Sequence, residues 1–156
     1  MRFMMLAMVL ALAGCSTVAS SLQYTQGTNA LEHGDYERAA TLLKEAVRLD
    51  PEVSRNRNNL AGALFELGRV EEGWPHVRKA VQLEPTNTFA VQNCTRYLLA
   101  LLDKANLKIG APKADVMKVL GTPDVEVEQG GRSLHTYCAS TLTYDGSTLA
   151  GIGDLR

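Results

Sequence analysis

The side chains that could do chemistry in this chain are few and far apart. Three cysteines and three histidines occur among 156 residues, and they form no CxxC pair and no set with the spacing of zinc ligands. The sequence also contains no Gly-x-Ser-x-Gly elbow, no phosphate-binding loop and no dinucleotide-binding fingerprint. We therefore predict that the protein is not an enzyme, binds no metal and needs no cofactor.

Cys15 indicates a different kind of chemistry. It ends a Leu-Ala-Gly-Cys sequence that follows one basic residue, Arg2, and an apolar run over residues 3–13. This arrangement resembles the lipobox of bacterial lipoproteins. The resemblance implies that residues 1–14 are a signal peptide and that Cys15 carries diacylglycerol and an acylated amine. Ser16, in place of aspartate, then implies the periplasmic face of the outer membrane.

Two other interpretations of the N-terminus stay open: an ordinary signal peptide, or a buried N-terminal helix. Residues 16–21 are small and polar, which favours a short tether. Without Arg2, 15 of the 16 basic residues remain against 17 acidic ones. Because no basic stripe is present, we expect no nucleic-acid partner, and we also expect no small-molecule substrate.

A period of 34 residues organises the middle of the chain. The recurring pairs are Gly34 and Gly68, Ala46 and Ala80, Leu49 and Leu83, and Pro51 and Pro85. Glycine suits the turn after a first helix because it accepts positive φ, and proline ends the second helix because it cannot continue it. This pattern resembles the tetratricopeptide repeat, a pair of antiparallel helices used in protein–protein interaction.

The resemblance divides residues 15–105 into two repeats, at about residues 20–53 and 54–87, and the first helix of a third, residues 88–105. Apolar residues at helical spacing predict helices over Ser20–Glu32, Tyr36–Leu49, Ser54–Leu67, Val70–Leu83 and Thr88 to about Lys104. The fifth helix is too apolar to be covered on one side only. We therefore expect residues 106–156 to cover it.

Residues 106–156 have a different pattern. A short helix is predicted over Lys113–Leu120, and strands are predicted over Val125–Gln129, Arg132–Tyr144 and Ser147–Ile152. Gly130-Gly131 and Asp145-Gly146 favour two-residue hairpins between these strands. The expected fold class is α+β: about five repeat helices, then a short helix and a three-stranded antiparallel meander.

The long middle strand alternates in character. Its predicted inward face consists of Leu134, Thr136, Cys138, Ser140, Leu142 and Tyr144. His135 would then face the opposite side from Cys138. If the sheet covers the fifth helix, Cys138 could meet Cys94 and form a disulfide in an oxidising compartment. The alternative is two free buried cysteines that behave as small hydrophobic residues.

Three motifs in this segment form a second resemblance. They are Gly110 to Val116, Leu120-Gly121-Thr122-Pro123 and Leu142-Thr143-Tyr144-Asp145-Gly146. Together they resemble the SmpA/OmlA outer-membrane assembly lipoproteins, whose wider fold group includes β-lactamase-inhibitor domains. The resemblance implies a small α+β fold and a role in envelope assembly.

The inner face of the repeats is the plausible binding surface. Its candidate residues are Arg55, Asn58, Asn59, Phe65, Phe89, Gln92 and Arg96. Asparagine and arginine side chains along a groove suit an extended or helical peptide. Asn59 matches the asparagine of the carboxylate clamp that binds chaperone tails, but Phe89 and Asn93 replace the basic residues of that clamp. The alternative is a solvated polar face with no ligand.

These observations lead to one main functional prediction. We expect a lipid-anchored interaction scaffold that binds protein partners of the cell envelope, in outer-membrane protein insertion or in pilus or secretion biogenesis. One alternative is an inhibitor or modulator of a cell-wall or periplasmic enzyme that acts through the β-rich segment. Another is a structural lipoprotein.

Overall fold

The computed structural model describes the backbone of residues 2–154 and the side chains of residues 17–153. The helices are α1 (Arg2–Glu32), α2 (Tyr36–Leu49), α3 (Ser54–Glu66), α4 (Val70–Leu83), α5 (Thr88–Lys104) and α6 (Lys113–Leu120). The strands are β1 (Val125–Gln129), β2 (Arg132–Tyr137), β3 (Ser140–Asp145) and β4 (Thr148–Asp154). Helices followed by antiparallel strands confirm the predicted α+β class.

The 34-residue period of the sequence is also present in the contacts of the helices. Gly34 and Gly68 both adopt positive φ at the turns after α1 and α3. The Ser20 hydroxyl donates to the Ala46 carbonyl at 3.0 Å, and one period later Ser54 donates to Ala80 at the same distance. The two helical hairpins are therefore built alike.

α1 is longer than predicted. It begins at Arg2, so residues 16–21, which were predicted to form a tether, are helical. The physical reason is that Arg2–Glu32 contains no proline to force a later start. The side chains of residues 1–16 lie outside the described residues, and the signal peptide and the lipid on Cys15 stay predictions. Among the described helices, none combines the length and apolar content needed to cross a bilayer.

The sheet is an antiparallel meander, as predicted, but it has four strands, in the order β1-β2-β3-β4, rather than the predicted three. The long middle strand is broken at Cys138, which adopts a φ of 57°. Tyr137 and Ser140 then pair across a two-residue turn. This turn depends on a tertiary contact, because the Cys138 N–H donates to Asp124 Oδ2 at 2.7 Å.

The extra turn also changes which residues are buried. On β2 the buried side chains are Ser133, His135 and Tyr137, not the predicted Leu134 and Thr136. On β3 they are the predicted Ser140, Leu142 and Tyr144. A strand that reverses at Cys138 does not continue its alternation, so the prediction that placed His135 opposite the inward face failed.

The buried side chains form two hydrophobic clusters. The first core lies between the first hairpin and α3 and consists of Ala30, Ala39, Ala40, Leu43, Val47, Leu60, Ala63 and Leu64. The second core joins α4, α5, α6 and the sheet around four aromatic residues: Trp74, Tyr97, Tyr137 and Tyr144. α6 and the sheet therefore cover α5, as predicted.

Polar contacts fix the C-terminal segment against α4. Trp74 Nε1 donates to the Leu120 carbonyl at 2.9 Å, and Arg78 donates to Asp124 at 2.5 Å. The Tyr137 hydroxyl donates to the Gly121 carbonyl at 2.9 Å, and burial raises the pKa of Tyr137 to about 12. These contacts extend from α4 to the start of β1.

Candidate peptide-binding face

The first helices of the successive hairpins, α1, α3 and α5, form one continuous face of the helix stack. α1 contacts α3, and α3 contacts α5. We call their shared surface the inner face. The predicted binding residues on α3 are Arg55, Asn58, Asn59 and Phe65, and those on α5 are Phe89, Gln92 and Arg96.

A chain of side-chain hydrogen bonds crosses this face from α5 to α1. Arg96 donates to Asn93 Oδ1 at 3.4 Å, and Asn93 donates to Asn58 Oδ1 at 2.9 Å. Asn58 donates to Asn59 Oδ1 at 3.4 Å, and Asn59 donates to Thr28 Oγ1 at 3.0 Å. We call these five residues the amide ladder. The two bonds that cross between helices, Asn93 to Asn58 and Asn59 to Thr28, both have their donor on the α5 side.

The ladder leaves hydrogen-bonding capacity for a ligand. A side-chain amide has two N–H donors and two acceptor lone pairs. Asn58, Asn59 and Asn93 each use one donor and one acceptor within the ladder. Each therefore keeps one N–H and one lone pair, which is the complement of a peptide group. Because the bonds in the ladder fix the orientation of each amide, less conformational entropy is lost on binding.

An arginine packed on an aromatic ring lies at each end of the ladder. On the α1 side the Arg55 guanidinium lies 4.9 Å from the centre of the Tyr24 ring. On the α5 side the Arg96 guanidinium lies 4.5 Å from the Phe65 ring, and it also approaches Glu66 at 4.0 Å. Each arginine is oriented by an aromatic face while its charge remains accessible.

The structure thus places the predicted residues in two groups. Asn58, Asn59 and Arg96 belong to the ladder, and Phe65 packs beside it. Phe89 is one helical turn before Asn93 and is 72% exposed, while Arg55 and Gln92 are exposed at the margin. An exposed phenylalanine beside fixed amides provides an apolar contact for a peptide side chain.

The sequence prediction missed Tyr24 and Thr28, which extend the site onto α1. A signal was present, because Tyr24, Thr28 and Leu31 have the spacing of one helix face. It was weak because the surrounding residues of α1 are polar and give no regular apolar stripe.

The inner face is a surface rather than a pocket. The cavity between Gly62, Phe65, Asn93, Arg96 and Tyr97 measures only about 10 Å³. A small molecule needs a concave site of several hundred Å³. The shape therefore suits an extended segment that lies across the helices.

Comparisons with known proteins agree with this architecture. The description of the matching family model is "Tetratricopeptide repeat", and the match covers residues 24–88. These residues match the tetratricopeptide repeat family. Among solved structures, the chain is similar to the TPR domain of Arabidopsis OM64, with 20% identity and a TM-score of 0.54. That alignment covers 68% of this chain and 85% of the OM64 domain.

A second similar structure is an O-GlcNAc transferase mutant of Thermobaculum terrenum, at 28% identity and a TM-score of 0.47. The alignment covers 58% of this chain but only 20% of the transferase. No curated protein matches the chain.

A larger cleft lies elsewhere on the helix stack, between α2 and α4. It measures about 510 Å³ and is lined by Ala40, Thr41, Lys44, Leu60, Leu64, Arg69, Glu72 and His76. Burial, with help from Arg57 and Lys44, lowers the pKa of His76 below its usual value. Arg69 is paired with Glu72 at 2.7 Å. We regard the inner face as the better candidate despite its smaller cavity, because Arg69 and Glu72 of the cleft are bonded to each other, whereas the ladder amides keep donors and acceptors for a ligand.

The two remaining cysteines lie behind the inner face. Cys94 follows Asn93 on α5 but points into the second core, where a disulfide joins it to Cys138. The sheet and α6 occupy the side of α5 that a second helix would cover in a complete third repeat.

Within the part of the chain that the structure describes, no group of histidine, cysteine and acidic residues could hold a metal ion.

Proposed function

We propose that this protein is a lipid-anchored adaptor that binds an extended peptide segment of an envelope protein across its inner face. The observation that carries the proposal is the amide ladder. Its three asparagines present N–H and carbonyl groups whose orientation is fixed by hydrogen bonds, on the same face as exposed Phe89. Main-chain hydrogen bonds of this kind supply affinity, and side-chain anchors supply specificity.

Two features support a place outside the cytoplasm. The Leu-Ala-Gly-Cys sequence ending at Cys15 implies lipid attachment and residence at the periplasmic face of the outer membrane. The Cys94–Cys138 disulfide suits the same compartment, because disulfides persist in oxidising environments. The resemblance of residues 106–156 to SmpA/OmlA lipoproteins favours a role in envelope assembly, and the partner would be a protein of that machinery.

The proposed role is binding without catalysis. The amides of the ladder do not titrate and are weak nucleophiles, so they are suited to recognition rather than to proton transfer. The only group proposed to be attached to the chain is the lipid on Cys15.

Peptide display on the full-length chain tests the proposed site. Peptides selected on the wild-type protein should bind a variant with Asn58→Ala and Asn93→Ala about tenfold or more weakly, because two hydrogen-bonding partners are lost. Thr41→Ala on α2, away from the inner face, is the matched control. Equal affinity for the ladder variant and the wild type, with circular dichroism unchanged, would place binding elsewhere.

The anchor is tested separately. Cys15→Ser should move the protein from the membrane fraction to the soluble fraction and abolish incorporation of labelled palmitate, because acyl chains supply stable attachment. Retention of the serine variant in the membrane fraction would contradict the lipid anchor and leave the peptide site unaffected.

A further inference from the structure

The two edges of the sheet differ in how they are covered. At β4, the loop before α6 pairs with the start of the strand: the Gly110 N–H donates to Leu149 O at 2.7 Å, and the Leu149 N–H donates to Ala111 O at 2.8 Å. β1 is the opposite edge, and all five of its residues are exposed. Within the described strands, nothing pairs with its outer side.

The hairpin geometry shows which backbone groups of β1 point outward. Gly130 and Gly131 both have positive φ, as in a type I′ two-residue turn. The residues that flank such a turn share hydrogen bonds, and bonding then alternates along the strand. Gln129 and Val127 therefore bond to β2, while the N–H and carbonyl groups of Glu126 and Glu128 point away from the sheet.

The side chains of β1 give this edge two distinct faces. Val125 and Val127 are 52% and 47% exposed and lie on the outer face of the sheet. Glu126 and Glu128 lie on the other face. The Glu126 carboxylate is held in place, because Lys113 donates to it at 3.1 Å and His135 Nε2 lies 2.9 Å away.

We propose that β1 accepts an extended segment of a partner protein as a fifth, antiparallel strand. Basic residues at alternate positions of that segment lie opposite Glu126 and Glu128, and the apolar residues between them extend the surface of Val125 and Val127. This mode of recognition adds a strand to an exposed sheet edge, with main-chain bonds for affinity and alternate side chains for specificity. The preference for a basic residue is strongest opposite Glu128, because the Glu126 carboxylate is already engaged by Lys113 and His135.

A second copy of the chain is a poor occupant of the same edge. Two β1 strands related by a two-fold axis through Val127 would place Glu126 opposite Glu128 of the other copy. An axis through Glu126 or through Glu128 would pair each of these residues with itself. Like charges directly opposite one another destabilise a strand pair.

The proposal is tested with short peptides that alternate lysine and valine, titrated into the full-length chain. In antiparallel pairing the lysines provide the bonding N–H groups. N-methylation of the valines should therefore preserve binding, whereas N-methylation of the lysines should abolish it. Equal binding of the two methylated peptides would overturn the assignment.

A charge exchange sharpens the test. Glu128→Lys should weaken binding of the lysine peptide roughly fivefold or more and create binding of the equivalent glutamate peptide. Glu32→Lys on α1 is the control for net charge. Unchanged preference in Glu128→Lys would contradict the proposal. So would a wild-type dimer in sedimentation that dissociates on Glu128→Pro, because that result would assign the edge to a second copy.

Discussion

The two hydrophobic cores of this protein are built from different residues. The first core contains alanine, leucine and valine, and it lies where the 34-residue period is complete. The second contains Trp74, Tyr97, Tyr137 and Tyr144, and it lies where the period ends and the sheet begins. Repetition is sufficient to pack helix on helix, whereas joining a helix stack to a sheet requires specific contacts.

The aromatic residues of the second core show what those contacts add. Trp74, Tyr97 and Tyr137 each donate a hydrogen bond to a backbone carbonyl across the core: Leu120, Ala61 and Gly121 respectively. A buried Tyr or Trp usually needs such a partner. The three bonds join α4 to the end of α6, α5 to α3, and β2 to the residue after α6. They therefore fix the orientation of α6, and of β2 through it, on the helix stack.

Removal of the disulfide should produce the largest loss of stability, and it should affect the second core more than the first. A variant with Cys94→Ser and Cys138→Ser should lose about 2–4 kcal/mol of unfolding free energy, since the bond closes a 44-residue separation. Hydrogen exchange should become faster in α6 and the sheet than in α2. Equal acceleration in α2 would show that the cores are one cooperative unit.

A methyl group at Gly73 should be the next most costly change. A Cβ there would overlap the Tyr97 hydroxyl and ring, so Gly73→Ala should cost about 1–3 kcal/mol despite its better helix propensity. Gly62→Ala on α3 is the matched control, because its nearest neighbour would be Leu31 Cδ2 at 3.9 Å. We expect that control to be neutral or stabilising in chemical denaturation.

A double variant tests whether overlap with Tyr97 is the cause of the lost stability. Gly73→Ala with Tyr97→Leu should cost less than the sum of the two single changes, because the overlap is removed. Simple additivity would mean that the glycine is required for another reason.

The smallest effect concerns acid stability on the sheet side. Hydrogen bonds from Lys113 and His135 hold the pKa of Glu126 below its ordinary value of 4.5. A depressed folded-state pKa stabilises the protein above the unfolded value, and that stability is lost as the pH falls through the folded-state pKa. Glu126→Gln should therefore flatten the decline in melting temperature below about pH 4.5.

Glu45→Gln provides the comparison on the helix stack, where Arg48 lowers the pKa of Glu45 by hydrogen bonding. If only the Glu45 variant flattened the acid decline, the contribution assigned to the Glu126 contacts would be wrong.

The difference between the two cores also explains which parts of the fold could be predicted from sequence. The observed bounds of α2, α4 and α6 coincide with the predicted ones, because glycine, proline and the apolar spacing are local signals. The turn at Cys138 could not be predicted in this way. It depends on Asp124, 14 residues away, and on Cys94, 44 residues away, and Cys-Ala is not a turn sequence.

The candidate site was predictable to a similar extent. Asn58, Asn59 and Arg96 follow from helical spacing on α3 and α5. The ladder itself requires the distance between neighbouring helices, which a sequence pattern does not contain. Thr28, its last member, lies on the helix with the weakest pattern.

The most direct test of the account is the NMR spectrum of the side-chain amides during titration with a display-selected peptide. Binding across the inner face predicts that the side-chain signals of Asn58, Asn59 and Asn93 shift together over one concentration range. Asn93→Ala should remove the response of the other two. Peptide binding that shifts signals of the sheet and leaves these three unchanged would contradict the central claim.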